Sequence, residues 1–188
     1  LKVGDKKYFV NRDKSVVAFR IGKNNLEEHG IKILGAHIDS PRIDLKQNPV
    51  YEQDGFCLFK THYYGGIKKY QWATIPLALH GMVVLNDGKK VEIKIGEDEN
   101  DPIFYISDLL PHLGTKQMSL KGNEIITGEQ LNIIAGGMPY ADEEVRSKIK
   151  LNVLNILNEK YGIKEEDFMS SDLCAVPAYK AKDIGFDR

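Results

Sequence analysis

The chain has 188 residues, of which 42% are hydrophobic and 28% charged, the balance of a globular fold rather than of a disordered or fibrous one. Its 26 Lys and Arg stand against 27 Asp and Glu, so there is no global basic field to draw in nucleic acid or an anionic membrane. No apolar stretch reaches the length of a membrane span, and Leu1 to Asp5 show no charged leader with an apolar core, so the expected location is cytoplasmic.

Three short segments open the chain: Lys7 to Val10, Ser15 to Ile21 and Ile31 to Asp39, separated by turns rich in Asn, Asp and Gly. All three read as strands. The second and third are apolar runs rich in β-branched residues, the pattern of strands buried on both faces in an α/β sheet. From about Asn48 to Met138 the character changes to many short strand candidates, among them Leu58 to Tyr64 and Lys90 to Ile95, between Gly and Pro punctuation. Asn86-Asp87-Gly88 between two apolar runs is a hairpin signal, because such a turn needs residues that tolerate positive φ. A short helix is expected around Ile106 to Leu113, starting near Ser107 or Asp108 and ending at Gly114.

A longer helix follows Tyr140, with Asp142 capping its first turn, Glu143 and Glu144 at its positive end, and Val145, Ile149, Val153, Ile156 and Leu157 on one face. Gly162 should end it. Ser171 to Lys180 then reads as a further strand. The expected architecture is an α/β domain, residues 1–47 and 139–188, interrupted by a β-rich insertion at 48–138. With no initiating Met and with Lys180 to Arg188 trailing from a strand-like segment, the chain is expected to be a fragment.

The tract Gly35-Ala36-His37-Ile38-Asp39-Ser40-Pro41 carries the most chemical information. On a strand, positions two apart share a face, so His37 and Asp39 would point together at the end of a buried run, where ligands bind in open α/β sheets. An imidazole can hold a divalent metal while a nearby carboxylate orients it. The plainer reading gives His37 a hydrogen bond near a strand end and makes Asp39 the cap of the next turn. A catalytic zinc site needs three protein ligands, so these two residues cannot complete one.

The other candidates have plain readings. His29 sits in a polar turn, His80 ends an apolar run, His62 lies among aromatics, and His112 follows Pro111 beside leucines. Cys57 and Cys174 form no Cys-x-x-Cys pair and are expected to be small buried apolar residues. Gly65-Gly66-Ile67-Lys68-Lys69 reads as a turn rather than a phosphate loop. Glu97 to Asp101 lacks the ligand spacing of a calcium loop. No Gly-x-Ser-x-Gly, P-loop or His-Glu-x-x-His motif is present.

Three tracts together, Ile33 to Arg42, Lys60 to Trp72 and Asp108 to Leu113, resemble the aspartyl aminopeptidase family of zinc metallo-aminopeptidases, in its bacterial branch. The resemblance implies an α/β/α peptidase domain with two co-catalytic zinc ions, interrupted by a β-rich dimerisation domain that builds a large homo-oligomer. It implies His37 as a zinc ligand, Asp39 as the catalytic carboxylate orienting it, and His112 as a substrate-binding residue reaching across the dimer. The remaining ligands and the Glu that serves as base would lie beyond Arg188. The expected function is release of N-terminal, preferably acidic, residues from peptides by a metal-activated water, with this chain an inactive piece of the whole. The alternative is a non-catalytic module for assembly and substrate access.

Overall fold

The computed structural model describes residues 1–12, 14–141 and 145–187. The chain divides into two compact units, Leu1–Ser40 and Pro41–Arg188.

In the first unit, strands β1 (Lys6–Asn11) and β2 (Ser15–Arg20) form an antiparallel two-stranded sheet, with Tyr8 opposite Ala18. Both strands stand where the sequence puts them. Their burial does not: every position of β2 is exposed, and among the described residues no further strand joins the pair. A single turn of helix follows, α1 (Leu26–His29), where the Asn25 side chain accepts from the Glu27 N–H at 3.1 Å. The strand expected at Ile31 to Asp39 is absent. These residues hold no regular element and pair with no strand among the described residues, and Ile33 and Leu34 are exposed. A run of apolar residues becomes a buried strand only where neighbours complete its hydrogen bonds and cover both faces, and the described residues pair no strand with this one.

The second unit is mixed α and β. Its strands are β3 (Arg42–Gln53), β4 (Phe56–Tyr64), β5 (Leu77–Val84), β6 (Lys90–Ile95), β7 (Ile133–Gly136) and β8 (Ser171–Pro177). They form one sheet in the order β6-β5-β8-β3-β4-β7 with every pairing antiparallel. Because β8 lies between β5 and β3, this sheet draws on residues from both sides of position 138. The Asn86-Asp87-Gly88 hairpin is present between β5 and β6: Gly88 has φ 84°, its N–H donates to Leu85, and the Leu85 N–H donates to Lys89.

No helix forms at Ile106 to Leu113. Ile106 is buried and bridges to Ala73, and the helical turn begins later, at α2 (Thr115–Met118), with Gly114 at its N-cap rather than at a helix end. Pro111 lacks the N–H that a helix through this stretch would use. The longer helix is α3 (Lys148–Tyr161), ended by Gly162 in the left-handed conformation at φ 71°. It starts later than the sequence suggests, and Val145 is outside it. The expected caps Asp142, Glu143 and Glu144 lie outside the described residues. The carboxylate found at the start of α3 belongs to Glu52 of β3, whose Oε2 accepts from the N–H groups of Ile149 and Lys150, both at 2.9 Å. Ile149 and Val153 are buried as expected, and Leu157 packs against the core. Ile156 is exposed, and Leu154 packs in its stead.

Alternate residues of the sheet, such as Ile43, Phe59, Leu79, Val83, Ile93, Leu173 and Ala175, form one core with Ile149 and Val153 of α3 and with Phe168. Phe168 stands in a 3₁₀ segment, Glu165–Ser170. Its neighbour Asp167 is buried and accepts from the N–H groups of Asn86 and Lys164, at 3.0 and 2.8 Å, tying the β5–β6 hairpin to this segment.

Candidate functional site

His37 lies on exposed, irregular backbone in the first unit, so it does not share a strand face with Asp39. Its Nδ1 stands 2.8 Å from the main-chain carbonyl oxygen of Asp39. A carbonyl oxygen can only accept, so Nδ1 carries the hydrogen, and in the neutral ring Nε2 then keeps its lone pair. This is the tautomer in which Nε2 can ligate a metal while the rest of the ring is held from behind. The orienting contact thus comes from the main chain of residue 39, where the sequence suggested its carboxylate. Among the described residues no group of three His, Cys, Asp or Glu is placed to hold a metal ion.

His112, in the second unit, occupies a tight turn in which Leu113 and Gly114 both donate to the Leu110 carbonyl at 2.9 Å. Pro111 sets up this turn, and the imidazole is exposed. Its flanking residues Leu109, Leu110 and Leu113 are exposed too, at 56%, 59% and 66%. An exposed histidine ringed by exposed leucines is not the packed residue that its apolar neighbours suggested in isolation.

The remaining histidines hold other posts. His29 is exposed at the end of α1. His62 stacks on Tyr63 with ring centroids 5.7 Å apart, and His80 places Nε2 3.0 Å from Glu97 Oε1. Cross-strand register puts Lys94, His80, Cys174, Asp44 and His62 in one row over five strands, a polar face opposite the core. A cavity of about 420 Å³ opens on that face beside Asp44, Lys46, His62 and Asp172. Sequence reading missed this row, because its members meet only through pairings between distant segments.

The acidic loop after β6 satisfies its own backbone. Asp101 accepts from the N–H groups of Gly96 and Asp98, which holds its carboxyl below the usual range. Cys57 is fully buried, and burial reinforced by the charge of Glu52 pushes its thiol up to about 12. Cys174 is half-buried, and burial raises its thiol as well. Cys57 is therefore not a nucleophile near neutral pH, since the thiolate is the reactive form. Accordingly, iodoacetamide at pH 8 should leave Cys57 unlabelled in the folded chain and label both cysteines once urea unfolds it; labelling of folded Cys57 at the unfolded rate would contradict this burial.

The family model described as aminopeptidase I zinc metalloprotease, M18, matches residues 1–188. The chain belongs to the M18 family. It is 56% identical over all 188 residues to a probable M18 family aminopeptidase 1 of Clostridium acetobutylicum, covering 40% of that protein. Among solved structures it is similar to an M18 aminopeptidase from Thermotoga maritima, with a TM-score of 0.89 and 49% identity over 98% of this chain and 40% of the other. It is likewise similar to aminopeptidase I from Clostridium acetobutylicum, with a TM-score of 0.87 and 54% identity over 100% of this chain and 41% of the other. The chain therefore spans about two fifths of the length of the M18 relatives it matches. No helix among the described residues is long and apolar enough to cross a membrane.

Proposed function

We propose that this chain is part of a zinc-dependent aminopeptidase that releases N-terminal residues, acidic ones by preference, from peptides, and that its own contribution to the metal centre is His37. The supporting observation is the imidazole whose Nδ1–H is spent on the Asp39 carbonyl and whose Nε2 is left as a donor, in a chain matched by a zinc metalloprotease family over its whole length. Zinc held there would supply Lewis-acid polarisation of the scissile carbonyl and favour a deprotonated water. The further ligands and the Glu acting as base, for a pair of ions in all, are proposed to lie in the three fifths of the relatives' length that this chain does not span.

In this reading Asp39 orients His37, and His112 reaches substrate bound by a neighbouring subunit. The exposed leucines around His112 fit a residue delivered to another protein surface rather than to its own core. The β-rich stretch within 48–138 serves homo-oligomer formation, and the assembly works in the cytoplasm. Family membership favours the peptidase over a purely non-catalytic assembly module, since the relatives are named aminopeptidases.

The test is release of the N-terminal residue from Asp-, Glu- and Leu-terminated peptides, by the 188-residue chain and by a longer protein containing it, each with added zinc and with chelator. Activity is expected in the longer protein only, abolished by chelator, restored by zinc and highest on acidic termini. Turnover that survives chelation would overturn the metallopeptidase reading.

A further inference from the structure

The outer edge of the six-stranded sheet is β6, Lys90-Val91-Glu92-Ile93-Lys94-Ile95, and no strand among the described residues pairs with that edge. An antiparallel ladder alternates between residues that exchange hydrogen bonds with the neighbouring strand and residues whose N–H and C=O point away. The Leu85 N–H bond to Lys89 fixes the phase: Val91, Ile93 and Ile95 spend their bonds on β5, while Lys90, Glu92 and Lys94 direct theirs outward. These same residues carry their side chains on the polar face, whereas Ile93 and Ile95 are buried in the core.

A second β6 running antiparallel can bond to this edge only where its own even-numbered residues meet those of the first. That leaves few registers. Centring the two-fold on Glu92 sets Glu92 against Glu92 and Lys90 against Lys94, and centring it on Lys94 sets Lys94 against Lys94. Centring it on Ile93 sets Glu92 of each copy against Lys94 of the other, twice, with Val91 opposite Ile95 on the apolar side. Centring it on Val91 also opposes Lys90 and Glu92 but aligns only residues 90–92 of the strand, whereas the Ile93 register aligns residues 91–95. The Ile93 register is therefore the longest pairing that satisfies hydrogen-bond phase and charge together, because opposite charges across a strand pair attract and like charges repel. Lys94 also lies 3.0 Å from Glu97, yet its side chain is 57% exposed and can lean on both carboxylates.

We propose that β6 is a self-complementary interface, through which a second copy of this chain continues the sheet across a two-fold axis at Ile93. The inference rests on the reading that the β-rich unit self-associates, and it names the strand and register. Charged residues on an edge strand commonly keep other strands away, so the alternative occupant of this edge is solvent.

The experiment measures the monomer–dimer equilibrium of the 188-residue chain by sedimentation, for the unchanged chain, for Glu92→Lys, for Lys94→Glu and for the double exchange. Glu92→Lys leaves the contact between Lys94 and Glu97 intact, and thermal melting checks that each variant is folded. Each single reversal should weaken the dimer about tenfold or more, by turning two attractions into two repulsions, and the double exchange should restore it. A dimer unmoved by either reversal would overturn the β6 interface while leaving self-association standing. A chain that stays monomeric without any substitution would overturn both.

Discussion

His37→Ala, made in a longer protein that contains this chain and has peptidase activity, should lower bound zinc and peptidase rate together, each by about 100-fold or more, because under the proposed function it removes a donor to the metal outright. Loss of a group that merely orients a ligand costs about 10–100-fold, so replacing the donor should cost at least as much. The contact from Nδ1 to the Asp39 carbonyl sharpens the expectation. A glutamine at position 37 would present an amide in place of the imidazole nitrogen and should restore little. His29→Ala serves as the control, since His29 is an exposed residue at the end of a helical turn. Metal content by mass spectrometry and rate on an acidic-terminated peptide decide the matter: normal zinc and normal turnover in the His37 variant would remove it from the metal centre.

The sequence showed different parts of this molecule with very different clarity. The hairpin at Asn86-Asp87-Gly88 and the helix end at Gly162 were legible because a positive φ leaves a local signature in residue type. Strands β1, β4 and β6 were legible from β-branched and aromatic runs. What stayed hidden was decided by distant residues. Glu52 binds the start of α3 from 97 positions away, and no local pattern announces such a cap. The row from Lys94 to His62 exists only once β8 has entered between β5 and β3. Ile31 to Asp39 shows the opposite error, where local pattern promised a buried strand and the described residues pair no strand with it. His37 was legible as a candidate through a motif of family resemblance, whereas the tautomer that equips it as a donor came only from geometry.

Phe168→Ala should destabilise the second unit by about 3–5 kcal/mol, the usual cost of removing a large aromatic from a packed core and leaving a cavity behind. Phe168 is 2% exposed, and its ring centre lies 6.3 Å from that of Phe59 on β4, which in turn lies 6.3 Å from Phe104. The three rings join the 3₁₀ segment, the sheet and the strand-like stretch bridging to Leu77, so truncating one loosens contacts among all of them. Asp167 adds to the cost, because its bonds to Asn86 and Lys164 depend on the same segment staying seated. The loss would be a large share of the 5–15 kcal/mol that typically holds a domain together. Urea unfolding followed by circular dichroism should show the midpoint falling sharply with the slope unchanged. Met169→Ala, one residue along and 60% exposed, should shift stability by no more than about 0.5 kcal/mol. Equal effects at the two positions would mean that the segment is not anchored by Phe168, and that the sheet's core closes without it.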